Sequence, residues 1–242
     1  MADFVFADEY RLGQNSTRQF YEWFLKGYIH KHNNLMGVIQ GFSSLILYDD
    51  SINDEVRESA EQMQTSAKAA TELNREILGA TGCARCEAGR VRFSDILPYW
   101  KTKSEEICAA SGTTFALTVR EGIPPVVADS TRLGDLYFHL IRNAAEAAAA
   151  FPGSAVAVDL FPPGEAGQGP AVDLFIRNRS ADLDAGALKR CFLPFETSKG
   201  SDHFGIGLTA AAVLAGDMGL RLGLRSAEGT MTAWLSVPTE AA

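Results

Sequence analysis

The chain has few cysteines and no arrangement of them that is typical of a metal site. Its 242 residues include four, at positions 83, 86, 108 and 191, and only Cys83 and Cys86 form a CxxC pair. A structural zinc site normally needs a second such pair or nearby histidines. We therefore expect reduced, incidental thiols rather than a metal or redox centre.

Basic residues and long apolar runs are also scarce. The net charge of −8 argues against nucleic acid or an anionic membrane as the main partner. No apolar run approaches the ~18 residues of a membrane-spanning helix. The N-terminal sequence MADFVFADEYR lacks the basic start and apolar core of a signal peptide. These absences predict a cytoplasmic protein with no membrane segment.

A long amphipathic helix is predicted after a loose arm over residues 1–15. Asn15, Ser16 and Thr17 offer an N-cap, and the helix should end near the turn YDDSIND. Glycines at 27, 37 and 41 suggest close packing against another helix or a partner. Apolar residues recur at spacings of three and four, which marks one helix face: Phe20, Phe24, Tyr28, Leu35, Val38 or Ile39, Phe42 and Leu45.

A second helix with the same periodicity follows the turn. Its apolar positions are Val56, Ala60, Met63, Ala67, Ala70, Leu73 and Ile77. Two long helices joined by a short turn form an antiparallel hairpin, which buries too little surface alone. We therefore expect a homodimer in which two hairpins form a four-helix bundle.

The pattern changes to mixed α and β after the linker GATGCARCEAG at residues 79–89. We predict a hairpin domain over residues 16–82 and an α+β sandwich domain over 90–242, with a mostly antiparallel sheet. Helices are predicted over 94–110, 130–150 with Asp129 as cap, and 205–215. A loop-rich region is expected from 178 to about 204. Strands are predicted over 91–93, 113–119, 155–161, 171–176, 220–225 and 230–237.

His30 is the strongest candidate for chemistry. A nucleophilic imidazole must be neutral, exposed and held in one tautomer. Asn34 lies one helical turn after His30 on the same face. An isolated histidine on a polar face is more often only solvated, so the surrounding residues decide the interpretation.

The segment HKHNNLMGVIQG, which begins at His30, resembles the phosphoacceptor box of two-component histidine kinases. The matching positions are His30, Asn33, Asn34, Leu35, Ile39 and Gly41. Lys31 stands where the family has an acidic residue that orients the imidazole and acts as base during attack on ATP, and His32 replaces a phenylalanine. A charged lysine accepts no proton, but it neutralises a phosphohistidine. The resemblance thus implies a phosphate carrier on His30 with weakened attack on ATP.

The second half resembles the GHKL ATPase domain of the same family. His139 and Asn143 match the N box, where the amide reaches a Mg²⁺ ion between ATP phosphates. The sequence FLPFETSK, which ends at Lys199, resembles the F box. Gly205 and Gly207 in FGIGL resemble the second glycine box, at a helix N-terminus suited to phosphate. The resemblance covers residues 20–238 and implies cofactors ATP and Mg²⁺.

The first glycine box departs from the family. Its Asp-x-Gly-x-Gly falls on residues 178–182, so Asn178 replaces the aspartate that accepts a hydrogen bond from adenine. Ser180 and Asp182 replace the glycines and add a Cβ each, and His203 replaces the first glycine of the second box. An unmatched buried group costs about 1–3 kcal/mol. These changes predict weakened ATP binding.

Three functions remain open at this point. The first is a histidine phosphotransferase that relays phosphate between response-regulator receiver domains through His30 and needs no cofactor; Lys31, the changed glycine box and the absence of a sensor segment favour it. The second is an ATP-dependent autophosphorylating kinase core. The third is a non-catalytic response-regulator-binding module. The receiver should dock around His30 on exposed parts of Leu35, Gly37 and Gly41, and a hybrid kinase is a candidate upstream partner.

Overall fold

The computed structural model describes residues 16–80, 87–166, 169–195 and 205–239. The described chain forms two compact units, one over residues 16–80 and one over 87–239. Lys199, His203, Cys83 and Cys86, on which several sequence predictions fall, lie outside the described residues.

The first unit is the predicted helical hairpin. Helix α1 spans Ser16–Leu47 and helix α2 spans Asp54–Ala80. The turn between them is held by side chains, since Asp49 Oδ1 accepts from the backbone N–H of Ser51 at 2.8 Å and Asn53 Oδ1 accepts from that of Val56 at 2.8 Å. The second bond caps the N-terminus of α2.

The face of α1 that packs on α2 is not its large apolar stripe. The packed residues are Ile29 and Ser43 of α1 with Ala60, Ala67 and Asn74 of α2, which are all buried. The predicted stripe lies on one face, but it is turned to solvent within this unit. Its described members Phe24, Tyr28, Leu35, Val38, Phe42 and Leu45 are between 53% and 68% exposed.

The second unit is an α+β sandwich built on a five-stranded sheet. The strands are β1 Gly89–Val91, β2 Thr114–Val119, β3 Val126–Ala128, β4 Ala155–Phe161, β5 Ala171–Arg179, β6 Arg221–Ala227 and β7 Thr230–Pro238. The sheet order is β2-β4-β5-β7-β6, with β2 and β4 parallel and the other pairs antiparallel. Strands β1 and β3 form a separate antiparallel pair.

One face of the sheet is covered by the helices. These are α3 Phe93–Ala110, α4 Ser130–Ala148, α5 Ala185–Arg190 and α6 Gly207–Asp217. Inward residues such as Val158, Leu174 and Leu235 join buried residues of α3, α4 and α6 in one core. Trp100 of α3 stacks on Tyr137 of α4, with ring centroids 4.1 Å apart. Apolar burial of this kind is the main stabilisation of the unit.

Several sequence predictions differ from this structure, including strand β1, which lies at Gly89–Val91 rather than at 91–93. Strand β5 extends to Arg179, so Asn178 lies in a strand rather than in a loop. Strand β3 follows Pro124-Pro125, where only a loop was predicted. Helix α5 interrupts the region predicted as loop-rich, and none of its residues is buried. A short exposed helix leaves no apolar periodicity in the sequence, and Asp184 Oδ1 instead starts it by accepting from Ala187 N at 2.7 Å.

Candidate functional site

His30 is exposed on α1 and lies on a different face of the helix from the residues that pack on α2. Helical spacing places Asn34, Gly37 and Gly41 on the same face as His30. A Cβ added at Gly37 or Gly41 would meet nothing within 4 Å, so within this unit the glycines leave the surface beside the imidazole open. The close packing expected on these glycines is thus not made within the hairpin.

His32, by contrast, is held by the hairpin. The side-chain nitrogen of Asn74, on α2, lies 2.7 Å from Nδ1 of His32 and 2.6 Å from Oδ1 of Asn33. One amide group donates two hydrogens, so both bonds form together when His32 Nδ1 is unprotonated. The ring of Tyr28 stacks on His32 at 5.7 Å. In that tautomer the unprotonated ring nitrogen of His32, which could otherwise act as a nucleophile in place of His30, already accepts a hydrogen bond.

The apolar periodicity of the sequence points to Leu73, not Asn74, as the inward position of α2 at this level. The signal that could have found Asn74 is the spacing of seven residues between Ala60, Ala67 and Asn74, which places an amide on the buried face of α2. A buried amide needs a partner, and His32 and Asn33 are the polar residues at that level of α1.

Lys31 is exposed and lies on the apolar stripe of α1. With it, the stripe runs 24, 28, 31, 35, 38, 42, 45, which alternates spacings of four and three. That alternation is typical of the seam of a helical bundle. Lys31 is the charged position of the stripe and directly follows His30.

Helix α4 carries the two predicted residues of the N box. Asp129 Oδ1 caps this helix by accepting from the N–H groups of Thr131 at 3.0 Å and Arg132 at 3.1 Å, as predicted. His139 and Asn143 are half-buried on it. A Cβ at Gly207, the first residue of α6, would lie 3.8 Å from His139 Nδ1, so the structure brings His139 and Gly207 together.

The F box and the second glycine box also meet. Phe195 N donates to Gly205 O at 3.0 Å, which joins the two ends of the segment over residues 196–204. Thr209 Oγ1, on α6, donates to Phe192 O at 3.0 Å. Gly205 has a φ of 65°, which favours glycine. Ile206 gives α6 no side-chain cap, as a phosphate-binding helix terminus requires.

The first glycine box is tied to the turn between β6 and β7. Asp182 Oδ1 accepts from Gly229 N at 2.8 Å, and Ser180 N donates to Gly229 O at 2.9 Å. Asn178 is buried, and its amide nitrogen donates to Arg179 O at 2.9 Å. Ser180 Oγ is buried with no hydrogen-bond partner among the described residues.

These contacts test whether ATP and Mg²⁺ fit. The phosphate end fits, because Asn143, Gly205 and Gly207 keep the family's residue types and the N-terminus of α6 has no side-chain cap. The adenine end does not fit the family pattern. Asn178 offers an amide in place of a carboxylate, and the carboxylate of Asp182 is held in a backbone hydrogen bond where glycine should stand. No group of three metal-ligating side chains occurs within the described ranges.

Comparison with known proteins identifies the class of fold. No protein-family model matches the chain, and no curated protein does. Several solved structures, by contrast, match the chain. Full-length ShkA in complex with AMPPNP matches 90% of this chain at 20% identity and a TM-score of 0.73, and this chain spans 46% of ShkA.

Two further structures match both units. Histidine kinase ThkA in complex with response regulator protein TrrA matches 98% of this chain and 68% of that chain, at 16% identity and a TM-score of 0.63. Acinetobacter baumannii histidine kinase AdeS matches 85% of this chain and 96% of that chain, at 12% identity and a TM-score of 0.58. The chain thus has the fold of a sensor histidine kinase catalytic core, a helical hairpin followed by a GHKL-type ATPase domain. The predicted fold class is confirmed.

Within the described residues, no helix has both the length and the apolar character needed to cross a bilayer.

Proposed function

We propose that the protein acts in two-component signalling by carrying a phosphoryl group on His30, as a histidine phosphotransferase between receiver domains. The observation that carries this proposal is the exposed imidazole of His30 beside the open surface of Gly37 and Gly41. The similar fold of ThkA, solved with a response regulator, supports a receiver domain as the partner.

The transfer needs only one group from this chain. The unprotonated ring nitrogen of neutral His30 attacks the phosphorus of a receiver aspartyl phosphate. An N–P bond forms, the P–O bond to the carboxylate breaks, and its electron pair leaves with the aspartate. The other ring nitrogen then releases its proton to solvent. Lys31 directly follows His30, and its long flexible side chain reaches from the edge of the bundle toward the new phosphoryl group, where charge-assisted contacts are strong.

The same hairpin supports a homodimer. The exposed stripe of α1 and the exposed Val56 and Met63 of α2 are too apolar for a solvated surface. Two copies that bury these stripes form a four-helix bundle with the spacing of four and three that such seams use. His30 lies off the stripe and stays accessible in that bundle.

The kinase is the second candidate. The proximity of His139 to Gly207 and the bond between Phe195 and Gly205 support a preserved phosphate end of an ATP site. ShkA, a similar fold, was solved with AMPPNP. We place the relay first for two reasons. Lys31 stands beside His30 where the family has an acidic residue. In the first glycine box, Asp182 stands where the family has a glycine, and its carboxylate is held by a backbone hydrogen bond.

Two parallel incubations separate the candidates. The purified protein is mixed with a panel of receiver domains phosphorylated by acetyl phosphate, or with ATP and Mg²⁺, and phosphohistidine is measured. The relay predicts label from a receiver and none from ATP. Label from ATP supports the kinase, and label from neither supports a non-catalytic binding module.

A further inference from the structure

The face of the sheet that points away from the helices carries aromatic rings surrounded by arginines. We call this surface the outer sheet face and define it by these residues: Phe161, Phe175, Trp234, Arg120, Arg177, Arg221 and Arg225. Strand register places them together, because Phe175 pairs with Trp234 and Arg177 pairs with Thr232, which in turn pairs with Arg225. The N box and both glycine boxes do not contribute to it.

A cavity of about 360 Å³ opens on the outer sheet face. Its walls include Phe161, Phe175, Arg177, Arg225 and Trp234, with Gly223 in its lining. Small-molecule sites in proteins occupy roughly 300–1,000 Å³ and combine apolar walls with a few polar groups. The cavity falls at the small end of that range, which suits a ligand of nucleotide size.

The indole ring in this cavity is held in a fixed orientation. Trp234 Nε1 donates to Asp173 Oδ1 at 2.8 Å, and Asp173 is buried under it. Gly223 is the register partner of Trp234, and a Cβ there would touch the ring at 3.5 Å. A glycine at this position leaves the neighbouring strand without a side chain beside the indole. A buried carboxylate thus orients a half-buried aromatic ring at the cavity wall.

The outer sheet face carries four arginines against three carboxylates, those of Asp159, Glu165 and Asp173, in a chain whose net charge is −8. The guanidinium of Arg221 lies 5.2 Å from the Trp234 ring centroid. Arg177 forms an ion pair with Asp159, and Nε of Arg120 lies 3.5 Å from Oε1 of Glu165. Among the described residues, neither Arg225 nor Arg221 has a carboxylate partner within ion-pair distance. Two guanidinium groups are thus available to an anion.

We propose that the outer sheet face binds an anionic ligand with a planar aromatic ring, of the class of nucleoside monophosphates. Aromatic rings and stacked guanidinium groups recognise a planar base through its π face. Arginine is the side chain best suited to phosphate because its planar fork donates two parallel hydrogen bonds. This site shares no residue with the phosphoacceptor box or the glycine boxes, so it stands whether or not the chain is a relay protein.

The test follows the indole N–H signal of Trp234 by NMR in the full chain while AMP, adenosine or inorganic phosphate is added. The chain has three tryptophans, so the signals are assigned by single Trp→Phe variants. We expect saturable shifts of the Trp234 signal with AMP, at a Kd of about 1 mM or tighter. Adenosine and phosphate should each bind at least tenfold more weakly than AMP.

Arg225→Gln should weaken AMP binding about tenfold or more, whereas Arg92→Gln, an exposed arginine outside this surface, should leave it unchanged. Asn143→Ala should also leave the Trp234 shifts unchanged, because it alters only the N box. The proposal is overturned if AMP does not move the Trp234 signal or if Arg225→Gln binds as the native chain does. It is also overturned if phosphate alone binds as tightly as AMP, since the ring would then contribute nothing.

Discussion

Asn74 and His32 join the two helices of the hairpin through a partly buried hydrogen bond of 2.7 Å, two residues along α1 from the exposed His30. The same amide nitrogen lies 2.6 Å from Asn33 Oδ1. A buried polar contact at one level of a helical pair fixes the register of the helices, because any slip leaves the groups without partners. The position of His30 on the surface therefore depends on a side chain of the other helix.

Asn74→Leu removes the donor that His32 and Asn33 share. Two half-buried acceptors lose their partner, so we expect the free energy of unfolding of the hairpin to fall by about 1–3 kcal/mol. Chemical denaturation followed by circular dichroism measures this loss. Gln64→Leu is the matched control, because Gln64 makes an exposed interhelical bond to Ser44 Oγ at 3.0 Å. Equal effects of the two variants would show that the buried position of Asn74 adds nothing.

Phe42→Asp places a charge in the middle of the exposed stripe of α1. If two copies bury this stripe, the variant should be monomeric, because an unpaired charge in an apolar seam is strongly unfavourable. Sedimentation equilibrium measures the association of both proteins. Thr65→Asp adds the same charge to the opposite, solvated side of α2 and should leave the dimer intact. A native chain that is itself monomeric would contradict the four-helix bundle.

Restoring the first glycine box tests why the relay is placed before the kinase. The triple variant Asn178→Asp, Ser180→Gly, Asp182→Gly returns the family's carboxylate and both glycines. We expect the affinity for ATP with Mg²⁺ to rise about tenfold or more, or about 1.4 kcal/mol, in calorimetry. Asp182→Asn, which keeps the Cβ, is the control. An unchanged affinity in the triple variant would mean that this segment does not limit ATP binding.

Asp129 gives the second unit a defined response to acid. Burial raises the pKa of its carboxyl, but hydrogen bonds from the N–H groups of Glu87, Arg132 and Thr131 outweigh this effect and lower the pKa below the usual 3.8. Its capping contribution is therefore complete above pH 3.8 and is lost as the pH falls through the folded-state pKa.

The variant Asp129→Ala should lose about 0.5–2 kcal/mol of stability at neutral pH. Asp129→Asn keeps a capping oxygen without a charge, so it should lose less. Denaturation midpoints between pH 3 and pH 7, compared for the three proteins, measure both effects. A native chain with the same acid sensitivity as Asp129→Asn would contradict this role for the carboxylate.

The sequence was sufficient for most of the architecture because burial leaves a periodic record. Strand β4 is found at the predicted residues, Ala155–Phe161, since the buried Val156, Val158 and Leu160 alternate with less buried positions. Helix α4 starts after Asp129 because the capping carboxylate is a local signal. Helix α5 has no buried residue and therefore leaves no such record.

The candidate site was less predictable because it depends on contacts between distant parts of the chain. The exposure of His30 follows from its position on the helix, but the hydrogen bond between Asn74 and His32 joins residues 42 positions apart. The bond from Gly229 to Asp182 joins residues 47 positions apart. The apolar stripe of α1 was recognised as one face, yet periodicity alone does not tell whether α2 or a second copy covers it.

The most direct measurement is the site of phosphorylation after incubation with a phosphorylated receiver domain. Peptides are mapped by mass spectrometry under alkaline conditions, which preserve phosphohistidine, in the native chain and in His30→Gln and His32→Gln. We predict a phosphoryl group on His30, no label in His30→Gln and retained label in His32→Gln. Label that persists in His30→Gln and disappears only in His32→Gln would contradict the central claim.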